Sequence, residues 1–370
     1  MNNHMKKIMI IAGARPNFMK IAPIIHAILK AKSEGHPIDY RLVHTGQHYD
    51  NNMSGSFFEQ LEIPEPHVNL ECSGGTQAEQ TAAILVSFEN ELMANPADLV
   101  LVVGDVTSTM ACALVAQKLH TKVAHVEGGI RSDDWTMPEE INRLVTDSIT
   151  NYFFTTSDTA NTNLKQSGVK EDQIFFVGNT MIDTLLKQRP NFKKPKVWND
   201  LELSDGNYIV MTLHRPANVD EESQLKAMID EITANSQDLP LVFPVHPRTA
   251  KILEQLNVNH PRLHMVEPLS YLEFNYLVEK AKAVITDSGG ITEEASVMGV
   301  PCLTLRDNTE RPETIELGTN VLVGTNPKNI QPYLETLFAG DWKKGSDIPL
   351  WDGHTSIRII KAIIGLKKLN

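Results

Sequence analysis

The residues most suited to chemistry in the first half of the chain are carboxylates. Asp105 and Glu127 each follow a short apolar run, and Glu139 follows Pro138 at the start of a helical pattern. Carboxylates at such positions can remove or donate a proton during a reaction. Each also has a structural alternative, since Asp105 could cap the next helix and Glu139 could only compensate a helix dipole.

The second half carries a turn suited to an anion. The apolar run 283–285 predicts a buried parallel strand, and Ser288, Gly289 and Gly290 precede a helix that Gly299 ends. Free N–H groups at a helix start attract anions, Ser288 adds a hydroxyl donor, and the two glycines let a phosphate approach the backbone. The stretch therefore predicts a phosphate site.

Other polar groups extend this site. His214 and Arg215 follow another predicted strand, and Arg311 lies beyond the phosphate turn. Glu293 and Glu294, expected in the first helical turn, either complement the helix dipole or reach a ribose hydroxyl. A nucleotide phosphate held by the second half against carboxylates of the first half is a proton-transfer site with an anionic leaving group.

Alternating strands and helices position these residues. Apolar runs predict strands at 7–12, 40–44, 99–103, 122–126, 152–154, 174–177, 208–213, 241–243 and 283–285, and the stretches 263–266 and 301–305 continue the second half. The predicted fold is α/β, with two Rossmann-like doubly wound domains. Because ligands bind at the carboxyl ends of parallel strands, we expect the polar residues there to face a cleft between the domains. They are Arg15, Gln47, His48, Asp105, Glu127, Arg131, Glu139, His214, Arg215, His246, Arg248, Ser288, Gly289, Gly290, Glu294 and Arg311.

The predicted domain boundaries follow from composition. Residues 1–187 form the first domain and 207–352 the second, and weak periodicity with Pro190, Pro195 and several lysines predicts a linker at 188–206. An amphipathic helix within 353–370 follows the completed second domain, so we expect it to pack back on the first.

Composition excludes several classes of partner. A net charge of -12 argues against a surface that coats nucleic acid. No apolar run reaches the roughly 18 residues that span a membrane, and the amino-terminal residues lack the apolar core of a signal peptide. Three scattered cysteines make neither a metal motif nor a closed disulfide set, which favours a reducing cytoplasm.

The motifs also argue against a bound cofactor. No set of His and Cys residues has zinc spacing, no Walker A motif is present, and the first strand–helix turn lacks G-x-G-x-x-G. We therefore expect neither a metal nor a cofactor.

Eight segments occur in the order found in one known family. They are Gly13–Pro16 with Lys20, Gly104–Ser108, His125–Arg131, Pro138–Arg143, Val177–Thr180, Leu213–Arg215, Asp287–Glu294 and Thr309–Glu313. With them the chain resembles, from residue 13 to about 325, the non-hydrolysing UDP-N-acetylglucosamine 2-epimerases, which share the fold of GT-B glycosyltransferases.

The resemblance implies a two-step epimerisation. UDP is eliminated from UDP-GlcNAc as the C2 proton is lost, and it adds back to 2-acetamidoglucal after protonation from the other face, giving UDP-ManNAc for surface polysaccharide. A homodimer is also implied. The catalytic residues fall on Asp105, Glu127, Glu139 and His214. The UDP contacts fall on Arg15, Lys20, Phe274, Ser288, Gly289, Gly290, Glu294 and Arg311, and the strand-end residues Arg215 and His246 complete the predicted binding set.

Two departures from the family pattern affect this interpretation. Many bacterial members have Gln-His-Arg-Glu-Met and bind a second UDP-GlcNAc there as an activator. In this chain Tyr49 stands after Gln47 and His48, which leaves those two as the candidate allosteric contacts without the arginine. The run 213–220 is similar to a branch with archaeal enzymes and epimerases of modified sugars, so a 2,3-diacetamido uronic acid or 6-deoxy sugar nucleotide is an alternative substrate.

Three further alternatives concern the activity itself. A hydrolysing epimerase would release free ManNAc and UDP. A GT-B glycosyltransferase would need an acceptor and would be inert towards UDP-GlcNAc alone. A catalytically silent nucleotide-sugar sensor would not need its carboxylates.

Overall fold

Two parallel β-sheets, one in each half of the chain, organise the fold. The computed structural model describes residues 5–47, 55–219, 221–245, 247–256, 258 and 260–366. The chain divides into one unit made of Met1–Thr184 with Pro349–Asn370 and a second made of Leu185–Ile348. The predicted α/β class with two doubly wound domains is confirmed.

The strands of both sheets are short and parallel. In chain order they are β1 (Lys6–Ala12), β2 (Ile38–His44), β3 (Val68–Asn69), β4 (Leu99–Val103), β5 (Lys122–Val126), β6 (Tyr152–Thr155), β7 (Ile174–Phe176), β8 (Ile209–Thr212), β9 (Leu241–Pro244), β10 (Leu263–Val266), β11 (Ala283–Thr286), β12 (Cys302–Thr304) and β13 (Asn320–Leu322). The first sheet has the order β3-β2-β1-β4-β5-β6-β7, and the second β10-β9-β8-β11-β12-β13. The order therefore reverses between β1 and β4 and between β8 and β11, the switch points where α/β sheets bind ligands.

Helices connect the strands. They are α1 (Arg15–Ser33), α2 (Gly55–Gln60), α3 (Gln77–Ala94), α4 (Thr107–Lys118), α5 (Pro138–Ile149), α6 (Asp158–Gln166), α7 (Thr180–Gln188), α8 (Lys196–Asp200), α9 (Pro216–Val219), α10 (Glu222–Ala234), α11 (Pro247–Gln255), α12 (Tyr271–Lys280), α13 (Gly289–Met298), α14 (Pro312–Glu316), α15 (Ile330–Ala339) and α16 (Thr355–Gly365). Because parallel crossovers are right-handed, reversing the strand order places helices on both faces of each sheet.

The cores follow the alternation of side chains along the strands. In β8, Ile209 and Met211 belong to one buried cluster and Val210 to another, as expected when successive residues point to opposite faces. In the first unit, Val100 and Val102 of β4 pack with Phe88 of α3. No helix in the described part of the chain is long and apolar enough to span a membrane.

The structure differs from the prediction between residues 188 and 206. This segment, expected as a linker, contains α8, whose Val197 and Trp198 are buried in the core of the second unit. The ring of Trp198 meets that of Tyr208 edge-on, with 5.7 Å between centroids. The prolines and lysines of this segment made it resemble a linker, although two of its apolar side chains, Val197 and Trp198, are buried.

Candidate active site

In the first unit, the turns that follow β1 and β4 contact each other at the switch point. Asn17 Oδ1 accepts the N–H groups of Gly13 and Ala14, each at 3.0 Å. A Cβ atom on Gly13 would lie 2.3 Å from Ser108 Oγ, so this position requires glycine. Gln47 Oε1 accepts from the backbone N–H of Ser108 at 2.9 Å and from its hydroxyl at 2.6 Å.

The two candidate allosteric contacts have different outcomes. The side-chain oxygen of Gln47 is thus buried against the start of α4, and its binding of a second nucleotide sugar stays a prediction. His48 lies outside the described residues.

Asp105, directly after β4, is held by a buried arginine. Arg143 of α5 donates to Asp105 Oδ2 from Nε at 3.0 Å and from Nη2 at 2.5 Å, and its Nη1 lies 2.7 Å from Glu140 Oε2. Burial alone would raise the pKa of Glu140, but hydrogen bonds from Ser132 and the charge of Arg143 lower it. Arg143 therefore stabilises two carboxylates, of which Asp105 is the more accessible, with 30% of its side chain exposed.

Glu127, after β5, adopts an unusual backbone. Its φ is 71°, in the left-handed region that side chains other than glycine rarely enter. Its N–H donates to Phe154 O at 2.9 Å, and Lys20 Nζ contacts its Oε2 at 2.9 Å. The carboxylate is almost fully buried and pairs with a cation from α1.

Two other predicted site residues of the first unit, Arg15 and Glu139, are more exposed to solvent. Arg15 is half-buried as the first residue of α1. Glu139 is exposed in the first turn of α5, next to the buried Glu140. Ion pairs therefore hold Asp105 and Glu127 in place, whereas Glu139 is exposed to solvent.

In the second unit, a buried aspartate organises the switch point. Asp287 Oδ2 accepts N–H bonds from His214 at 3.0 Å, Arg215 at 2.9 Å and the Asn218 amide at 3.0 Å. Its Oδ1 lies 2.8 Å from Nδ1 of His214, whose side chain is 61% exposed. Burial acts to raise the pKa of Asp287, but these donors and His214 hold it below its ordinary value. An ionised Asp287 fixes a proton on Nδ1 and leaves Nε2 of His214 for proton transfer.

The predicted phosphate turn lies at the start of a helix. Ser288 is the N-cap residue of α13, and Gly289 and Gly290 are its first two residues, where backbone N–H groups have no intrahelical acceptor. A Cβ atom on Gly289 would come within 2.7 Å of Glu310 Oε1. Arg215 Nη2 lies 3.7 Å from the same oxygen, and its Nε donates to Asp287 O at 3.1 Å. The Arg215 cation and the Glu310 carboxylate therefore both lie beside the first N–H groups of α13.

Two glutamates of α13 lie one turn later than expected. The helix begins at Gly289, so Glu293 and Glu294 fall outside its first turn and do not serve there as dipole partners. Glu293 forms an ion pair with Arg311, and Glu294 Oε1 accepts from the Tyr271 hydroxyl at 2.7 Å. Burial raises the pKa of Glu294 to about 7, and Glu293 adds to the rise while the Tyr271 hydrogen bond opposes it.

Two further residues of the second unit, Phe274 and His246, were predicted to contact UDP. Phe274 is half-buried on α12 and packs against the core cluster. His246 lies outside the described residues. In the part of the chain that the structure covers, no group of three or more His, Cys, Asp or Glu side chains could hold a metal ion.

The structure also shows three side chains that bind predicted site residues and for which the sequence indicated no role. Asp105 is bound by Arg143, His214 by Asp287 and Glu294 by Tyr271. The Glu140–Arg143 spacing of three on one helix was a usable signal, since such residues lie on the same face. The contacts of Asp287 and Tyr271 join separate elements and had no local signal.

Known proteins are similar to this chain in sequence. A family model described as UDP-N-acetylglucosamine 2-epimerase matches residues 30–364. A UDP-N-acetylglucosamine 2-epimerase of Methanocaldococcus jannaschii is 40% identical over 96% of this chain and 98% of its own. A UDP-2,3-diacetamido-2,3-dideoxy-D-glucuronate 2-epimerase of Pseudomonas aeruginosa is 39% identical over 86% and 88%.

A solved structure agrees with both results. The crystal structure of Methanocaldococcus jannaschii UDP-GlcNAc 2-epimerase in complex with UDP-GlcNAc and UDP has a TM-score of 0.87 and 40% identity, covering 97% of this chain and 100% of that one. The chain therefore belongs to the UDP-N-acetylglucosamine 2-epimerase family.

Proposed function

We propose that this protein interconverts UDP-GlcNAc and UDP-ManNAc at C2 without releasing the sugar. The observation that carries the proposal is the pairing of Asp105 with Arg143 and of Glu127 with Lys20 at adjacent strand ends. Two carboxylates stabilised by cations suit a reaction that removes a proton from one face of a carbon and returns one to the other.

In the proposed reaction, one carboxylate takes the C2 proton while the bond from C1 to the UDP oxygen breaks. The products of this step are 2-acetamidoglucal and UDP. A proton then returns to C2 on the opposite face, and the same UDP oxygen attacks C1. Asp105, Glu127 and Glu139 supply the acid and base groups, and His214 serves as a further proton-transfer group.

In this proposed function, the second unit binds UDP after it leaves the sugar. The N–H groups of Gly289 and Gly290, together with the Ser288 hydroxyl, stabilise the charge that develops on the leaving group. Glu294 binds the ribose, and Phe274 lies against the uracil. The proposed cationic and polar contacts with UDP are Arg15, Lys20, Arg215, His246 and Arg311. We further propose that the protein acts as a homodimer.

A modified sugar nucleotide is the second candidate substrate. The 39% identity to the Pseudomonas aeruginosa enzyme named for UDP-2,3-diacetamido-2,3-dideoxy-D-glucuronate supports it. That substrate carries an extra acetamido group and a carboxylate, so direct competition with UDP-GlcNAc distinguishes the two.

Proton NMR in deuterated water tests the function. We expect deuterium at C2 of both nucleotide sugars and no accumulation of free ManNAc. Free ManNAc as the main product would instead indicate a hydrolysing enzyme, and inertness towards UDP-GlcNAc would indicate a glycosyltransferase, a sensor or another substrate.

The carboxylate assignment has its own test. Asp105→Asn and Glu127→Gln should each lower C2 exchange by at least about 100-fold, within the range for a lost acid or base, while UDP still binds. Glu91→Gln is a matched control, because Glu91 pairs with Arg41 outside the candidate site. Exchange at the wild-type rate in both site variants would refute the assignment.

A further inference from the structure

A buried histidine joins the two turns that carry the candidate carboxylates. His125, in β5, is fully buried. Its Nε2 lies 2.7 Å from Gly104 O, the carbonyl directly before Asp105. Its Nδ1 lies 2.7 Å from Asp147 Oδ1 on α5. Both ring nitrogens thus contact oxygen atoms of other elements.

Asp147 extends this connection to the turn after β5. Its Oδ2 accepts from the N–H of Gly129 at 3.0 Å and from Arg131 Nη1 at 2.6 Å. Gly129 is two residues beyond Glu127, whose backbone is in the left-handed region. Asp147 and His125 therefore fix one backbone group beside each candidate carboxylate.

The hydrogen-bond partners determine the protonation state of the ring. A carbonyl oxygen only accepts, so Nε2 must carry a proton. Asp147 receives three donors, including the Arg131 cation, and although burial acts to raise its pKa, His125 and Arg131 lower it. An ionised Asp147 also only accepts, so Nδ1 carries a proton as well.

We propose that His125 is a positioning residue that ties the turn bearing Asp105 to the turn bearing Glu127 through hydrogen bonds from both ring nitrogens. The role of His125 in catalysis rests on the proposed function, whereas its hydrogen bonds do not depend on that function. The charged groups around it are Asp147 of α5 and Arg131 and Glu127 of the β5 turn, with Asp105 following Gly104. By holding Gly104 O and, through Asp147, the N–H of Gly129, it opposes relaxation of the strained Glu127 backbone.

Nitrogen NMR of ¹⁵N-histidine-labelled wild-type protein tests the protonation state without any substrate. We expect both ring nitrogens of His125, assigned by comparison with His125→Gln, to carry a proton in the folded protein, as their two acceptors require. A ring nitrogen without a proton at neutral pH would overturn the proposal.

Asp147→Asn tests positioning. The asparagine oxygen can still accept from Gly129 and Arg131, while its NH₂ group donates to Nδ1 of a now neutral His125. We expect one ring nitrogen to lose its proton and kcat for C2 exchange to fall about 10- to 100-fold, with KM changed less than about threefold. An unchanged kcat would refute positioning.

Asp183→Asn is the matched control. Asp183 is another buried aspartate of the first unit, and it accepts the N–H groups of Thr355 at 3.0 Å and Ser356 at 2.7 Å. We expect it to lower thermal stability and leave kcat within about twofold of wild type. If Asp147→Asn and Asp183→Asn lowered kcat equally, the role of Asp147 would be structural and the positioning proposal would be wrong. A wild-type protein without C2 exchange would instead contradict the proposed function and leave the NMR result valid.

Discussion

At the scale of single residues, Glu294 differs from two other buried carboxylates, one in each unit. Asp147 and Asp287 have cationic or multiple N–H partners that lower their pKa values. Glu294 has the Tyr271 hydroxyl beside it and the like charge of Glu293, and burial raises its pKa to about 7. Without a ligand the folded protein thus holds a proton there that an unfolded chain would have released. Ribose hydroxyls, as donors, would favour the ionised form.

This raised pKa predicts a specific pH dependence of stability. Glu294 has an ordinary pKa of 4.5 and a folded pKa of about 7, so the folded state binds more protons between these values. Its contribution is fully present below pH 4.5 and is lost as pH rises through 7. Relative to Glu294→Gln, the wild type should therefore lose up to about 3 kcal/mol of unfolding free energy between pH 4.5 and pH 7.5. Urea unfolding at several pH values measures the difference.

The control for this prediction is Glu335→Gln. Glu335 is exposed on α15, and its contact is the Gln331 side chain of the same helix. Its pH profile should run parallel to that of the wild type. The assignment of the buried proton to Glu294 fails if the Glu294→Gln profile also runs parallel to it.

At the scale of elements, what the sequence reveals depends on whether the signal is local. The strands at 99–103 and 122–126 and the start of α5 at Pro138 are predicted to the residue, because apolar runs and a first-turn proline are local patterns. The two-residue β3 and the short β13 have too few residues for such a pattern.

The partners of the site residues are non-local. Asp105 and Arg143 are separated by 38 positions, and their contact requires α5 to return across the ends of β4 and β5. The sequence therefore predicts which residue types gather at the strand ends, and the sheet order decides which of them meet.

The terminal helix illustrates such a contact and allows a prediction. Its amphipathic pattern predicts a helix, and the structure adds that α16 packs beside α1 and ends on Lys6, whose Nζ donates to Ile363 O at 2.9 Å, Ile364 O at 2.8 Å and Leu366 O at 2.8 Å. A cation on free carbonyls stabilises the end of a helix. Lys6→Met should therefore increase hydrogen exchange of the last-turn amides of α16 by about tenfold or more.

Lys7→Met provides the comparison. Lys7 is the next residue of β1, and its side chain is exposed. Hydrogen exchange followed by mass spectrometry should show wild-type protection of α16 in this variant. Equal protection in both variants would contradict a capping role for Lys6.

At the scale of the whole molecule, the two units differ in how the chain builds them. The first needs α16 from the carboxyl-terminal end, where buried Ile359, Ile360 and Ile363 contribute to its packing. The second is a continuous segment, 185–348, with its own six-stranded sheet and a buried cluster on each face. The second unit is therefore built from one continuous stretch of the chain.

The last prediction follows from this continuity. Residues 185–348, expressed alone, should fold cooperatively and bind UDP, because the switch point with His214, Asp287 and the start of α13 lies within the segment. Arg215→Met in this fragment should weaken UDP binding about tenfold, since it removes a cation beside the proposed phosphate site. Arg262→Met should not, because Arg262 pairs with the exposed Asp238 away from that turn. Calorimetric titration measures both, and equal UDP binding by the Arg215→Met and Arg262→Met fragments would contradict the assignment of the phosphate contacts to this turn.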